Sequence, residues 1–104
     1  MLPRILNIIN IHPYKIVCGW TNGEIRMIDF EPLINKYKQQ KKLTNAYFKL
    51  NHVPLFLQVQ LDKIMGTLFW PNLITMTDYD GAIKTAPFDI CPDMLYSMSK
   101  IVKV

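Results

Sequence analysis

Residues 15–29 read KIVCGWTNGEIRMID, and the fold turns on how that stretch pairs with itself. Lys15 to Trp20 alternates, with Ile16, Cys18 and Trp20 on one face, and the residues after Gly23 alternate again. A period of two marks a strand with one buried side. Asn22-Gly23 between them is the pair favoured in a two-residue type I′ turn, because both central positions need positive φ. Closing the hairpin there sets Trp20 opposite Ile25 and Cys18 opposite Met27, so Ile16 and Met27 are expected on the same buried face.

Outward from this hairpin, Arg4 to Ile11 reads as a preceding strand that Pro13-Tyr14 breaks. On the other side the period changes after Asp29. Pro32 suits a first helical turn, Asp29 stands close enough to cap it, and Leu33, Ile34 and Tyr37 have helical spacing. Thr44 or Asn45 can start a second short helix through Ala46, Tyr47 and Phe48, and Asn51 with Pro54 a further turn carrying Phe56. Leu57, Val59 and Leu61 alternate with polar residues as a half-buried strand, which Lys63 to Gly66 turns into a return strand Thr67 to Trp70, ended by Pro71. Asp80-Gly81 predicts another type I′ hairpin, joining Leu73–Tyr79 to Ala82–Ala86. Pro92 fits the first position of a closing helix, with Asp93 against its positive end. The expectation is an α+β fold: a small antiparallel sheet built from hairpins, two or three short helices and a single core, in one domain over residues 1–104.

Composition narrows the class. A 104-residue chain that is 50% hydrophobic can bury a core without disulfides or metal, and its longest uninterrupted apolar stretch, Ile16 to Trp20, is far too short to span a bilayer. The opening MLPRILNIINIHPY is interrupted by Asn7 and Asn10 and lacks a small-residue cleavage site, so no signal peptide is expected. Cys18 and Cys91, two isolated thiols, fit a reducing, cytoplasmic location. A charged fraction of 19% is below the globular average and favours a protein partner or self-association.

Catalytic, cofactor and metal signatures are missing: there is no phosphate loop, GxGxxG, HExxH or CxxC. In a calcium loop with Gly81 at the sixth position, positions one and twelve would be Met76 and Pro87, which cannot ligate. His12 and His52 each lie beside a turn and lack the further ligands or orienting group that a metal site or a Cys–His pair needs. Asp89 and Asp93 could form an acid–base pair, but capping and dipole stabilisation explain both. No catalytic residue, cofactor or metal is expected.

Charge is unevenly spread. Residues 1–52 hold eight Lys or Arg and three acids, while residues 53–104 hold four and five. Lys36, Lys38, Lys41, Lys42 and Lys49 fall in one acid-free stretch with Tyr37, Tyr47 and Phe48 among them. Lysines so placed can meet phosphates while aromatics stack on bases, or they can meet an acidic protein. They can equally be the solvated side of short helices whose aromatics anchor the core.

The segments NGEIRMIDFEPLI (22–34), Phe56 to Val59, GTLFWPN (66–72) and FDICPDMLY (88–96) together resemble a prokaryotic family known as domain of unknown function 2442. The family pattern falls on Asn22, Gly23, Asp29, Trp70, Asp89, Pro92, Leu95 and Tyr96, all expected to be structural. Leu73 to Pro87 separates pieces that are nearly continuous in many members, so the Asp80-Gly81 hairpin looks like an elaboration of a shared core. The resemblance implies a small α+β protein without established enzymatic activity. Some members carry an added helix-turn-helix domain, and others are encoded beside a small partner in pairs resembling toxin–antitoxin systems. With the chain closing at Val104, no appended DNA-binding domain is expected. These features together predict a non-catalytic interaction or regulatory module, antitoxin-like within a two-protein system, with nucleic-acid binding through the lysine segment as the alternative and no membrane association.

Overall fold

In the computed structural model, which describes residues 2–40 and 45–102, the chain forms seven strands in two antiparallel sheets and four short helices. Strands β1 (Ile5–His12), β2 (Lys15–Trp20), β3 (Ile25–Asp29) and β7 (Ser99–Ile101) make one sheet in the order β1-β2-β3-β7. Strands β4 (Gln60–Asp62), β5 (Thr67–Thr77) and β6 (Ile83–Asp89) make the other, in the order β4-β5-β6. Helices α1 (Glu31–Gln39), α2 (Ala46–Lys49) and α3 (Val53–Phe56) connect them, and α4 (Pro92–Met98) leads back to the first sheet. The α+β class is as the sequence predicts, with two sheets where one was expected and a fourth helix.

The central hairpin forms with a different turn. Trp20 N donates to Glu24 O at 2.9 Å and Gly23 N to Trp20 O at 3.0 Å, and of the turn residues only Gly23 has positive φ, at 85°. This is a three-residue loop with glycine in the bulge position, in place of a type I′ turn. One extra loop residue slips the register by one, so Ile16 pairs with Ile28, Val17 with Met27 and Cys18 with Arg26. A slip of one turns every side chain of β3 over. Ile28, expected outside, is fully buried, and Met27, expected inside, faces away from the core. The Asp80-Gly81 turn repeats the pattern, with Asp78 N bonded to Ala82 O, Gly81 N bonded to Asp78 O, and only Gly81 at positive φ.

β1 and β2 join at Pro13-Tyr14, where Tyr14 takes φ 68° after a proline, the φ pattern of a type II turn. Tyr14 O accepts from Phe30 N and Tyr14 OH donates to Asn51 O at 2.6 Å, which holds this non-glycine residue in the left-handed region. The second sheet also departs from expectation. β5 does not end at Pro71 but runs on to Thr77, and the irregularity falls in the pairing, which shifts between Trp70↔Phe88 and Ile74↔Ala86. Pro71 and Pro87 both sit in this shifted region, where a missing N–H costs no ladder bond. β4 pairs no further than Gln60 with Phe69, so from Leu73 to Ala86 the strands β5 and β6 form a two-stranded arm.

The helices follow local chemistry. Asn45 Oδ1 accepts from Tyr47 N at 2.8 Å as the N-cap of α2, Asp29 Oδ1 accepts from Glu31 N at 3.0 Å, and Pro92 occupies the first turn of α4. Leu57, expected in a strand, instead caps α3 and is exposed, leaving β4 only three residues.

One cluster of buried residues joins both sheets and the helices. At its centre Phe30, Phe56 and Trp70 meet, with Phe30–Phe56 at 5.4 Å and Phe30–Trp70 at 5.8 Å, both edge to face. Tyr14 extends the cluster against Phe56, and Phe88 extends it from Trp70 to Tyr47. Such pairs add about 0.5–1.5 kcal/mol each beyond burial. Trp70 is 1% exposed and its Nε1 donates to Phe56 O at 2.9 Å, so Trp70→Ala removes both the ring and the partner of a buried carbonyl. It should cost about 3–5 kcal/mol in urea melts; a loss below about 1 kcal/mol would mean that the ring is not an anchor.

Candidate functional site

The five lysines do not act alike. Lys36 and Lys38 are exposed on α1, with the Lys36 ammonium 5.9 Å from the Tyr37 ring centroid. Tyr37 stacks on Tyr47 of α2 at 5.2 Å and 22°. Lys49 is turned to structure: its Nζ donates to Leu73 O at 3.1 Å and Thr75 Oγ1 at 3.3 Å, pinning α2 to the root of the arm. Lys41 and Lys42 lie outside the described residues, as does Thr44.

A polar cluster that the predicted register concealed binds the central hairpin to the last helix. With Arg26 turned to the core side, its Nε donates to Ser99 Oγ at 2.6 Å, its NH2 to Ser99 O at 3.0 Å, and its guanidinium lies 4.3 Å from the Tyr96 ring centroid. Tyr96 OH donates to Glu24 Oε1 at 2.7 Å, and Asn22 Nδ2 donates to the same carboxylate. The Tyr96 ring stands edge-on to Trp20 at 5.2 Å. Asn22 and Tyr96, 74 residues apart, thus share one acceptor. The hydrogen bond from Tyr96, followed by that from Asn22, holds the Glu24 carboxyl below its ordinary range, and the same bond to Glu24 raises the Tyr96 phenol. Every member has a partner within the cluster, so its chemistry is that of a clasp. Trp20 Nε1, buried beside it, has no acceptor among the described residues.

The closing segment is arranged differently from the expected Asp89 cap. Asp89 is exposed at the end of β6 opposite Phe69. The path of Ile90 into the core is set instead by Ile90 N bonded to Leu68 O and by Thr67 Oγ1 donating to Ile90 O. Asp93 pairs with Arg4 at 2.7 Å, and Leu95 is fully buried while Tyr96 joins the clasp. The Arg4 ion pair is part-exposed and worth at most about 1 kcal/mol.

Among the described residues no three His, Cys, Asp or Glu side chains gather as a metal site, and no helix is long and apolar enough to cross a membrane. Cys18 is fully buried and burial pushes its thiol up to about 12, which makes it a small hydrophobe, whereas Cys91 is exposed.

Among the apolar surfaces that the described residues leave open, two border the first sheet and α4. On the first sheet, Val17, Gly19, Ile25 and Met27 point away from the core, beside Leu6 and Ile9, which two irregularities in β1 push out of its pairing with β2. Leu6 is 61% and Ile9 50% exposed. Lys15 and Lys100, paired with Asp29 and Met27 in the ladder, edge this face. The second surface is a groove of about 360 Å³ between α1 and α4, lined by Pro32, Leu33, Met94 and Met98 with Asp29 and Lys36 at its polar margin. Met94 and Met98 stand four apart on α4 and Leu33 and Lys36 three apart on α1, a spacing legible in sequence once both helices are set side by side. No family model, curated protein or solved structure matches the chain.

The clasp sets a pH dependence. Because the folded pKa of Glu24 is depressed, its contribution to stability is present above the ordinary carboxylate pKa and is lost as pH falls through the folded value. The raised Tyr96 behaves oppositely: its contribution is present at neutral pH and is lost as pH rises through the folded phenol pKa. Glu24→Gln should therefore flatten the loss of stability on acidification below about pH 4.3, read from urea midpoints across the acid range. An unaltered acid slope would place that dependence on other carboxylates.

Proposed function

We propose that this chain is a non-catalytic interaction module, the antitoxin-like or regulatory member of a two-protein pair of the kind found in the family it resembles. The observation that carries this reading is the outer face of the first sheet. Antiparallel sheets commonly leave one face to water, but that face is then polar. Here Val17, Ile25 and Met27 form an apolar centre, with Leu6 and Ile9 exposed beside them and Asn7 and Asn10 of β1 as its polar border opposite Gly19 and Val17. Lys100 at its margin, together with the net +4 charge, suits a protein that presents an apolar patch rimmed by acids, while Lys15 is ion-paired to Glu31 at 3.5 Å. The ionisable cluster at Glu24, Arg26 and Tyr96 is absorbed by packing α4 and β7.

Single-stranded nucleic acid is a second reading, favoured by the Tyr37–Tyr47 stack beside Lys36 and Lys38. The engagement of Lys49 with the arm weakens it.

One experiment separates the two. The product of a flanking gene, co-expressed with the chain, should co-purify with it. Met27→Glu should abolish that association, and so should Leu6→Glu, which, at a position 61% exposed and outside the β1–β2 pairing, should leave the melting curve within about 0.5 kcal/mol of the parent, as for surface substitutions. Co-purification indifferent to Met27→Glu would move the partner elsewhere. A chain that takes no partner but binds a single-stranded oligonucleotide, with affinity falling steeply in salt and lost in Lys36→Glu/Lys38→Glu, would overturn the reading in favour of the second.

A further inference from the structure

An exposed strand edge is a row of unpaired N–H and C=O groups, and most edges of this molecule are blunted against pairing. On the first sheet β1 carries two irregularities and β7 has only three residues. On the second, β4 has three residues and β6 carries Lys84 and Pro87. The exception is the side of β5 that β4 leaves uncovered beyond Phe69. Thr75, Met76 and Thr77 are exposed there, and none of them is charged or a proline.

The register fixes what this edge offers. Asp78 N donates to Ala82 O, so the Asp78 backbone faces β6, and along an antiparallel pair the direction alternates. Met76 and Ile74, opposite Lys84 and Ala86, therefore bond toward β6, whereas Thr77, Thr75 and Leu73 turn their backbone groups to the open side. Lys49 agrees with this direction, since its Nζ reaches Leu73 O from α2 at 3.1 Å. The ammonium stands where the next donor of an added strand would be, so the open ladder is that of Thr75 and Thr77.

We infer that β5 pairs antiparallel with β5 of a second copy, Thr75 of each opposite Thr77 of the other and the two Met76 residues facing across the twofold axis. Two open residues per copy, each with one N–H and one C=O, make four backbone hydrogen bonds. An antiparallel pair of identical strands is twofold by construction, so the contact is reciprocal without a separate complementary site. The joint sheet runs β6-β5-β5-β6 and ends on both sides at strands guarded by Lys84 and Pro87, which closes it as a dimer. A hairpin standing by itself in water is marginal, and this pairing turns two such arms into a four-stranded sheet. The register also sets Tyr79 of the other copy opposite Leu73, which brings that copy's turn to Lys49. Asp78, Asp80 and Lys84 leave the turn one net negative charge, and Lys49 has no carboxylate within ion-pair distance among the described residues. The hollow of about 310 Å³ beside Lys49, between α2 and β5, is lined by no acid. So small a contact makes a weak dimer, with a dissociation constant on the order of 10–100 µM.

Sedimentation equilibrium and amide hydrogen exchange of the full chain, from low to high micromolar concentration, test this. The expected behaviour is a monomer–dimer equilibrium in which the Met76 and Asp78 amides are protected throughout, while those of Thr75 and Thr77 become protected only as the dimer forms. Thr77→Pro deletes an open-side N–H and no bond to β6, and should weaken the dimer by about tenfold or more. Met76→Glu lies opposite Lys84 within the arm but opposite its own copy across the axis, and should weaken the dimer about three- to fivefold. An equimolar mixture of Met76→Glu and Met76→Lys should associate more tightly than either variant alone. A monomer throughout, a dimer indifferent to Thr77→Pro or to the Met76 charges, or growth into larger species would overturn the assignment. So would protection of Thr75 and Thr77 only when the flanking-gene product is bound, which would give the edge to that protein. Leu6→Glu and Met27→Glu lie on the first sheet and should leave the dimer intact, so failure here is distinguishable from failure of the partner reading.

Discussion

The three-residue loop Thr21–Gly23 is the constraint on which the rest depends. By bonding Trp20 to Glu24 and leaving Gly23 in the left-handed region, it fixes which side of β3 meets the core. Ile28 then packs beside Ile16, and Phe30 follows into the interior. Arg26, one turn of the pleat earlier, reaches Ser99 and Tyr96. With a two-residue turn the same strand would send Ile25 and Met27 inward and leave Arg26 and Ile28 in water. The clasp that docks α4 and β7 would then have no guanidinium, and the aromatic centre would lose Phe30.

Two junctions transmit this register through the molecule. The aromatic centre of Phe30, Phe56 and Trp70 takes one ring from each of three separate segments, so that the first sheet, the short helices and the second sheet share a core. At the other junction Ile5 N donates to Gly66 O at 2.9 Å, and Gly66, at φ 65°, lies against Arg4 so closely that a Cβ would collide with its side chain. Glycine there serves both the turn and the approach of β1. Together these contacts leave the interior committed to holding the sheets, and they leave the capacity for recognition to the open sheet face, the groove and the arm.

Features governed by neighbouring residues were legible in sequence. Asn45 as a cap, Pro92 at a helix start, the turns at Gly23 and Gly81 and the buried face of β2 all follow from local backbone chemistry. The register was not legible, because Asn-Gly satisfies both a two-residue turn and a three-residue loop with its glycine in the bulge, and only the burial of Ile28, Phe30 and Arg26 together selects between them. The continuation of β5 through Pro71 depends on the facing Pro87 segment of β6, and the capture of Lys49 by the Leu73 carbonyl depends on a strand that follows much later in the chain. Asp89 was misplaced for the same reason: the backbone of Ile90 is held by Leu68 and Thr67, neither of them local. Of the candidate surfaces, the exposed lysines were visible from charge, whereas the outer face of the first sheet exists only in the slipped register.

The register is therefore the claim to test first. Nuclear Overhauser contacts between α-protons across β2 and β3, measured on the labelled chain, report it directly. The account predicts cross-strand contacts linking Val17 to Met27 and Gly19 to Ile25. Contacts linking Trp20 to Ile25 or Cys18 to Met27, the pairs whose α-protons face each other in a two-residue hairpin, would restore that turn and contradict both the clasp and the open sheet face.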